Sequence, residues 1–156
     1  MAQAQMKGNA MVGCILTGHS EFASGLGSAV EMIAGPQDNL TVVTFRESEA
    51  GDYAAHIATA ITDSVAKYGN TVVFCDLMGG TPFNQAMLVS QEVPGVEVVT
   101  GTNLPMLLEC LTSISNETTA PELAALALEA GQEGIANPVL GVGAANDTYD
   151  AEEEGI

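Results

Sequence analysis

Short runs of apolar residues, each about the length of a single strand, constrain the fold of this chain more than any other feature. They span residues 11–16, 40–45, 71–75 and 96–99. Runs of this length that are apolar at nearly every position are typical of strands covered on both faces. Apolar residues at helical spacing fill the stretches between them, namely Phe22, Leu26, Val30 and Ile33 in one and Tyr53, Ile57, Ile61, Val65 and Tyr68 in the next. The alternation predicts an α/β fold, an open doubly wound and mainly parallel sheet of order 2-1-3-4 with helices on both faces.

Local signals predict where some elements begin and end. Thr81 before Pro82 predicts the start of a helix, with threonine as the N-cap and proline in the first turn, where its missing amide is tolerated. A further helix, rich in Ala and Leu, is expected over 121–130. Beyond it, 135–140 predicts a short strand, which Pro138 confines to a sheet edge because proline has no amide donor.

Length and composition predict one folded domain. The chain has 156 residues, of which 47% are apolar and 15% charged, so it can build a core. We expect a flexible leader over 1–10, the domain over 11–142 and an acidic flexible tail over 143–156.

The charge balance excludes whole classes of partner. Against 20 Asp and Glu stand 3 Lys and Arg, a formal charge of −17. Nucleic acid and anionic membrane surfaces would repel such a chain. The charge indicates either a solvated acidic surface or electrostatic steering toward a basic protein partner.

The cysteines predict a reducing compartment. Cys14, Cys75 and Cys110 are odd in number and lie in apolar segments, so we expect buried thiols without disulfides. No segment reaches the roughly 18 apolar residues of a membrane span. The sequence predicts a cytoplasmic protein.

An imidazole and a carboxylate end two of the predicted strands. His19 follows the first apolar run and Asp76 the third, and in the order 2-1-3-4 those strands are neighbours. Ligands of open parallel sheets bind at the carboxyl ends of the strands, where the order changes direction. A carboxylate bound to one ring nitrogen would orient His19 and leave the other nitrogen free as a nucleophile. The second histidine, His56, lies in a helical stretch and is interpreted as a surface or boundary residue.

Glycine and hydroxyl residues surround this pair and predict a phosphoryl site. Free backbone amides at helix starts favour anions, hydroxyls can bind phosphoryl oxygens, and neither needs a metal or a cofactor. The residues in question are Gly18, Ser20, Gly79, Gly80 and Thr81, with Thr17 as a further candidate hydroxyl.

Other site classes have little support in the sequence. Motifs of zinc sites, of nucleotide-binding loops and of hydrolase nucleophile elbows are absent. A phosphoaspartate receiver would also carry an aspartate after its third strand. It needs an acidic metal-binding pair after the first strand, however, where this chain has Gly18-His19-Ser20.

Three segments in collinear order resemble one protein family. They are TGHSEFASGL at 17–26, DLMGGTPFN at 76–84 and TGTNLPM at 100–106. Together they resemble the mannose-family enzyme IIA component of the bacterial sugar phosphotransferase system, over about residues 11–136. The sequences of the first two segments are similar to those of N-acetylgalactosamine/galactosamine-type components.

The resemblance implies a phosphohistidine relay. The family's histidine takes a phosphoryl group from the phosphocarrier HPr on Nε2 and passes it to enzyme IIB, which serves the membrane components IIC and IID. It maps onto His19, the orienting aspartate onto Asp76 and the loop hydroxyl onto Thr81, while Ser20 stands where many members have glycine. The family also implies a homodimer that exchanges a C-terminal strand, which falls in 134–140. A regulatory IIA-like module that signals to a transcription factor or kinase is the alternative.

Overall fold

The central element of the fold is a parallel sheet of four strands. The computed structural model describes residues 11–141. The strands are β1 Gly13–His19, β2 Leu40–Phe45, β3 Thr71–Cys75 and β4 Val96–Val99. They are hydrogen-bonded in the order β2-β1-β3-β4, and all three pairings are parallel. The predicted order is therefore confirmed.

Helices cover both faces of this sheet. They are α1 Phe22–Ala34, α2 Tyr53–Tyr68, α3 Gly80–Glu92, α4 Leu104–Ser113 and α5 Ala120–Glu133, with a 3-10 turn at Glu47–Glu49. Helices α1, α4 and α5 share one apolar core with the sheet, and α2 and α3 share the other. The doubly wound arrangement is confirmed, and the right-handed crossovers of parallel strands account for it.

Alternation along the inner strands decides which core each residue enters. In β1, Cys14 and Leu16 lie in the core under α1, α4 and α5, whereas Ile15 lies in the core under α2 and α3. Successive side chains of a strand point to opposite faces, so His19, four residues after Ile15, belongs to the α2 and α3 side.

The start of α3 differs from the prediction. Its N-cap is Gly79 and its first residue is Gly80, so Thr81 lies inside the first turn and does not cap the helix. Gly79 and Gly80 have φ of 87° and 81°. Glycine is the residue that readily adopts a positive φ, and here two consecutive glycines do so. They turn the chain into the helix before it reaches Thr81.

The described residues after α5, up to residue 141, form no strand. Residues 135–140 are unpaired, and Ile135, Val139 and Leu140 are exposed by 76%, 82% and 91%. A strand here would need a sheet edge to pair with, and its exchange between subunits stays a prediction. The expected leader 1–10 and the expected tail 143–156 lie outside the described residues, as does residue 142. Within residues 11–141, no helix combines the length and apolarity needed to cross a membrane.

Candidate functional site

The sheet register brings His19 and Asp76 into contact at its carboxyl edge. Thr17 of β1 pairs with Cys75 of β3, so both chains leave the sheet side by side. The His19 backbone N–H donates to Asp76 Oδ2 at 2.8 Å, and His19 Nδ1 lies 2.8 Å from the same oxygen. An ionised carboxylate only accepts hydrogen bonds, so Nδ1 carries the proton and Nε2 keeps its lone pair.

The surroundings of Asp76 keep its carboxylate ionised. Burial alone would raise its pKa, since the side chain is only 11% exposed. Hydrogen bonds from the His19 backbone, the His19 ring and the Leu77 backbone outweigh that effect and hold the pKa of Asp76 below its ordinary value. The site therefore has a permanent negative charge behind the imidazole.

Gly18 makes room for this carboxylate. A Cβ at Gly18 would lie 2.9 Å from Asp76 Cβ and Cγ and 2.6 Å from Phe22 Cδ1. Contacts this short do not occur between real side chains, so only glycine lets Asp76 sit against β1. Gly18 is buried in the strand, and a side chain at this position would meet both Phe22 and Asp76.

Two aromatic rings hold the other side of the imidazole. The His19 ring packs edge-on against Phe45, with ring centres 5.6 Å apart, and Phe45 packs similarly against Tyr53 at 4.8 Å. The Tyr53 hydroxyl shares a 2.5 Å hydrogen bond with Thr17 Oγ1. Burial raises the pKa of Tyr53 to about 12, so it stays a neutral phenol.

Sequence reasoning missed Phe45 and Tyr53, and it misjudged Thr17. The hydroxyl of Thr17 is buried and bonded to Tyr53, so its candidacy as a phosphoryl ligand was wrong. A signal for Phe45 existed, because it ends β2 as His19 ends β1, and the two are paired in register.

The free nitrogen of His19 faces the start of α3. A Cβ at Gly80 would lie 3.3 Å from His19 Nε2, so the backbone of the first helical residue approaches the ring closely. The first amides of a helix have no partner within it and point outward with the positive end of the helix dipole. Nε2 thus borders a position suited to an anion. Thr81 is exposed in the same turn.

Ser20 carries the chain away from the site in an unusual conformation. Its φ is 50°, in the left-handed region, and its N–H donates to the Phe45 carbonyl at 2.8 Å. An open cleft of about 430 Å³ lies here. It is lined by His19, Ser20, Glu21, Phe45, Arg46 and Glu47.

Neither metal-ligand clusters nor thiols offer a rival chemistry in the described part of the chain. Between residues 11 and 141, no three His, Cys, Asp or Glu side chains come together as metal ligands. Cys75 precedes Asp76, but its thiol is buried, and burial raises its pKa to about 12. A thiol in that state is a poor nucleophile.

Comparison with known proteins now decides the family. The family model described as "PTS system fructose IIA component", EIIA-man, matches residues 13–127. The chain belongs to the EIIA-man family. The matched family is one of IIA components of the phosphotransferase system, PTS.

Individual relatives of this EIIA-man protein include curated and solved proteins. The mannose-specific EIIAB component of Escherichia coli K12 is 32% identical over 127 residues, covering 80% of this chain and 38% of that protein. The sorbose-specific EIIA component of Lacticaseibacillus casei is 34% identical, covering 65% of this chain and 73% of that one. The chain thus spans about two fifths of the EIIAB relative.

A solved structure shares the same architecture. The mannose/sorbose specific IIA subunit of Enterococcus faecalis superimposes with a TM-score of 0.74 at 28% identity, over 83% of this chain and 96% of that one. The α/β fold predicted from the strand and helix pattern therefore agrees with that of a relative of known structure.

Proposed function

We propose that His19 accepts a phosphoryl group on Nε2 from phospho-HPr and passes it to an enzyme IIB component. The observation that carries the proposal is the orientation of the ring. Nδ1 is held by Asp76, and Nε2 faces the first turn of α3. Such a ring has one nucleophilic nitrogen, aimed at a position that favours a phosphoryl anion.

The bonds made and broken in the transfer balance without a metal or a cofactor. The lone pair of Nε2 forms a new N–P bond while the N–P bond of the donor histidine breaks, and the electron pair returns to the donor nitrogen. The Nδ1 proton stays on His19, so the phosphorylated ring carries a positive charge that the Asp76 carboxylate stabilises. Transfer to IIB repeats the same exchange in the opposite direction.

The start of α3 would hold the transferred group. We assign the phosphoryl oxygens to the first amides of α3, at Gly80 and Thr81, and to the Thr81 hydroxyl. The close approach of Gly80 to the imidazole supports this role, because a Cβ built at Gly80 would lie 3.3 Å from His19 Nε2. Ser20 lines the cleft beside His19.

The wider assembly follows from the family and is part of the proposal. In the cytoplasm, IIB would pass the phosphoryl group on for sugar uptake through the membrane components IIC and IID. The relatives are named for mannose, fructose and sorbose, and we propose a sugar of this group. The assignment to N-acetylgalactosamine or galactosamine stays a prediction from the motif sequences.

A homodimer with an exchanged C-terminal strand completes the proposal. Its support is the unpaired segment 135–140, whose Val139 and Leu140 are almost fully exposed. Among the described residues, strand β4 has a neighbouring strand on only one side. Exchange of such an edge element is a low-cost route to a dimer.

Intact mass spectrometry tests the relay. The protein is incubated with HPr, its activating kinase and phosphoenolpyruvate, and measured before and after an acid step. We expect one added phosphoryl group, lost in acid as a phosphohistidine is, and no addition in His19→Ala. The matched control is His56→Gln, which removes the only other histidine, an exposed one, and should label like the unmodified chain.

Two outcomes would contradict the proposal. Labelling of His19→Ala would place the phosphoryl group elsewhere, and no labelling of the unmodified chain would remove HPr as donor. Adding IIB to the labelled protein separates the relay from the regulatory alternative, since only a relay loses its label to IIB.

A further inference from the structure

Arg46 is a rare cation in this acidic chain, and it lies at the proposed site. The chain has three Lys and Arg residues. Of the two in the described part, Arg46 lines the cleft that contains His19, while Lys67 lines a separate cleft with Asp38 and Asn39, beside the amino ends of the strands. Arg46 is thus the cationic side chain that the described residues place beside His19.

The guanidinium group of Arg46 has an anchored edge and an exchangeable edge. Nη1 donates to Thr44 Oγ1 at 3.0 Å and to Glu49 Oε1 at 3.2 Å. On the opposite edge, Nε and Nη2 both donate to Glu21 Oε1, at 3.1 and 2.5 Å. Glu21 stands two residues after His19, so the fork of Nε and Nη2 is directed toward the segment that leaves the site.

Both partners on the exchangeable edge are in contact with water. The side chains of Arg46 and Glu21 are exposed by 42% and 65%. Exposed ion pairs contribute little to stability, because solvent screens the charges and the side chains lose freedom. Replacing Glu21 by another anion therefore costs little.

A phosphoryl group on His19 is an anion that would compete for this fork. It carries a charge of roughly −1.5 to −2 and three strong acceptor oxygens. Glu21 and Glu47 line the same cleft, so without a cation the new charge would meet only like charges there. Guanidinium binds phosphoryl oxygens in pairs and more tightly than most other donors do.

We propose that Arg46 is a phosphoryl-binding residue that exchanges Glu21 for the phosphoryl group on His19. This inference rests on the proposed phosphorylation of His19. Thr44 and Glu49 keep Nη1 in place, while Nε and Nη2 leave Glu21 and donate to phosphoryl oxygens. The exchange breaks and makes only ionic hydrogen bonds, and Glu21 is released into water.

A purely structural role of Arg46 predicts a different result. If the Arg46–Glu21 pair only held the loop after β1, breaking it from either side would have the same effect on phosphorylation. If Arg46 binds the phosphoryl group, Glu21 is its competitor. Removal of Arg46 then slows phosphorylation, while removal of the Glu21 charge leaves it equal or faster.

The test compares Arg46→Gln, Arg46→Lys, Glu21→Gln and Lys67→Gln with the unmodified chain. The donor is the small molecule phosphoramidate, whose P–N bond breaks as ammonia leaves. No donor protein has to dock, so the rate reports on the site alone. We expect Arg46→Gln to be phosphorylated about tenfold more slowly, matching about 1.4 kcal/mol for a charge-assisted contact. Arg46→Lys should recover part of the rate, Glu21→Gln should be at least as fast as the unmodified chain, and Lys67→Gln, which removes a distant positive charge, should be unchanged.

Three results would overturn the inference. Equal rates of Arg46→Gln and the unmodified chain would show that Arg46 does not meet the phosphoryl group. Equal losses in Arg46→Gln and Glu21→Gln would assign a structural role. A loss seen with phospho-HPr but not with phosphoramidate would make Arg46 a docking residue for the donor protein. If the unmodified chain accepts no phosphoryl group from either donor, the proposed function fails and the inference fails with it.

Discussion

The two ends of the parallel sheet use their polar groups in opposite ways. At the amino ends of the strands, polar side chains form hydrogen bonds within the fold. The Asn39 amide donates to the Val12 carbonyl at 3.0 Å, and Thr71 donates to Ser64 at 2.7 Å. These groups are satisfied within the chain, and their contribution is stability.

At the carboxyl ends, polar groups face the cleft and the solvent. His19 is 45% exposed, with Nε2 toward the start of α3. Leu77 and Met78, directly after Asp76, are also exposed. Among the described residues, Thr102 Oγ1 is the buried side-chain polar atom without a hydrogen-bond partner, and it follows β4 at this end. The comparison teaches that the proposed site lies at the end of the sheet where hydrogen-bonding groups remain unpaired.

Asp76→Asn should have the largest effect at the carboxyl end. The amide keeps the shape of the side chain but loses the charge that orients and stabilises the ring, so phosphorylation by phospho-HPr should slow roughly 10–100-fold. Stopped-flow or quenched mass measurements give the rate. An unchanged rate would remove Asp76 from the site.

Asn39→Ala tests the amino end in the same way. It removes the buried hydrogen bond to Val12 and should lower the free energy of unfolding by about 1–3 kcal/mol. Urea titration measures this change. Phosphorylation of the folded variant should proceed at the normal rate, and a slowed rate would show that the two ends are not separable.

Acid should weaken the carboxyl end through Asp76. Its pKa is lowered in the fold, so the folded state binds this proton less readily than the unfolded chain does. Its stabilisation is therefore complete above the ordinary pKa of 3.8 and is lost as pH falls through the lower folded value. The unfolding free energy of the unmodified chain should exceed that of Asp76→Asn at pH 6, and the gap should shrink at pH 3. A gap of constant size would contradict the pKa direction.

Ser20→Gly should have the smallest effect. The left-handed φ of Ser20 strains an L residue, and glycine relieves that strain at some cost in unfolded-state entropy, for a net gain of roughly 0.5 kcal/mol. Ser24→Gly, inside α1, is the matched control and should destabilise, because glycine weakens a helix interior. Destabilisation by both would mean that Ser20 is not strained.

The sequence by itself determined the sheet and the pairing of His19 with Asp76. Strand order and helix placement follow from local apolar patterns, because a fully buried strand must be apolar throughout and a crossover helix needs one apolar face. The strand ends carrying His19 and Asp76 then meet wherever β1 and β3 are neighbours. Both residues were identified as site candidates for that reason, and their contact in the structure agrees.

Only the tertiary structure decided what surrounds that pair. Sequence reasoning made Thr17 a candidate ligand, but alternation in β1 turns it into the core against Tyr53. Sequence reasoning placed Gly18 among the phosphoryl-site residues, and the structure shows that it is buried in β1, where a Cβ would clash with Asp76. Arg46 reaches the cleft because β1 and β2 end in register, which joins residues far apart in the chain. The physical reason is common to all three: register and side-chain direction arise when distant strands pair, and no local pattern encodes them.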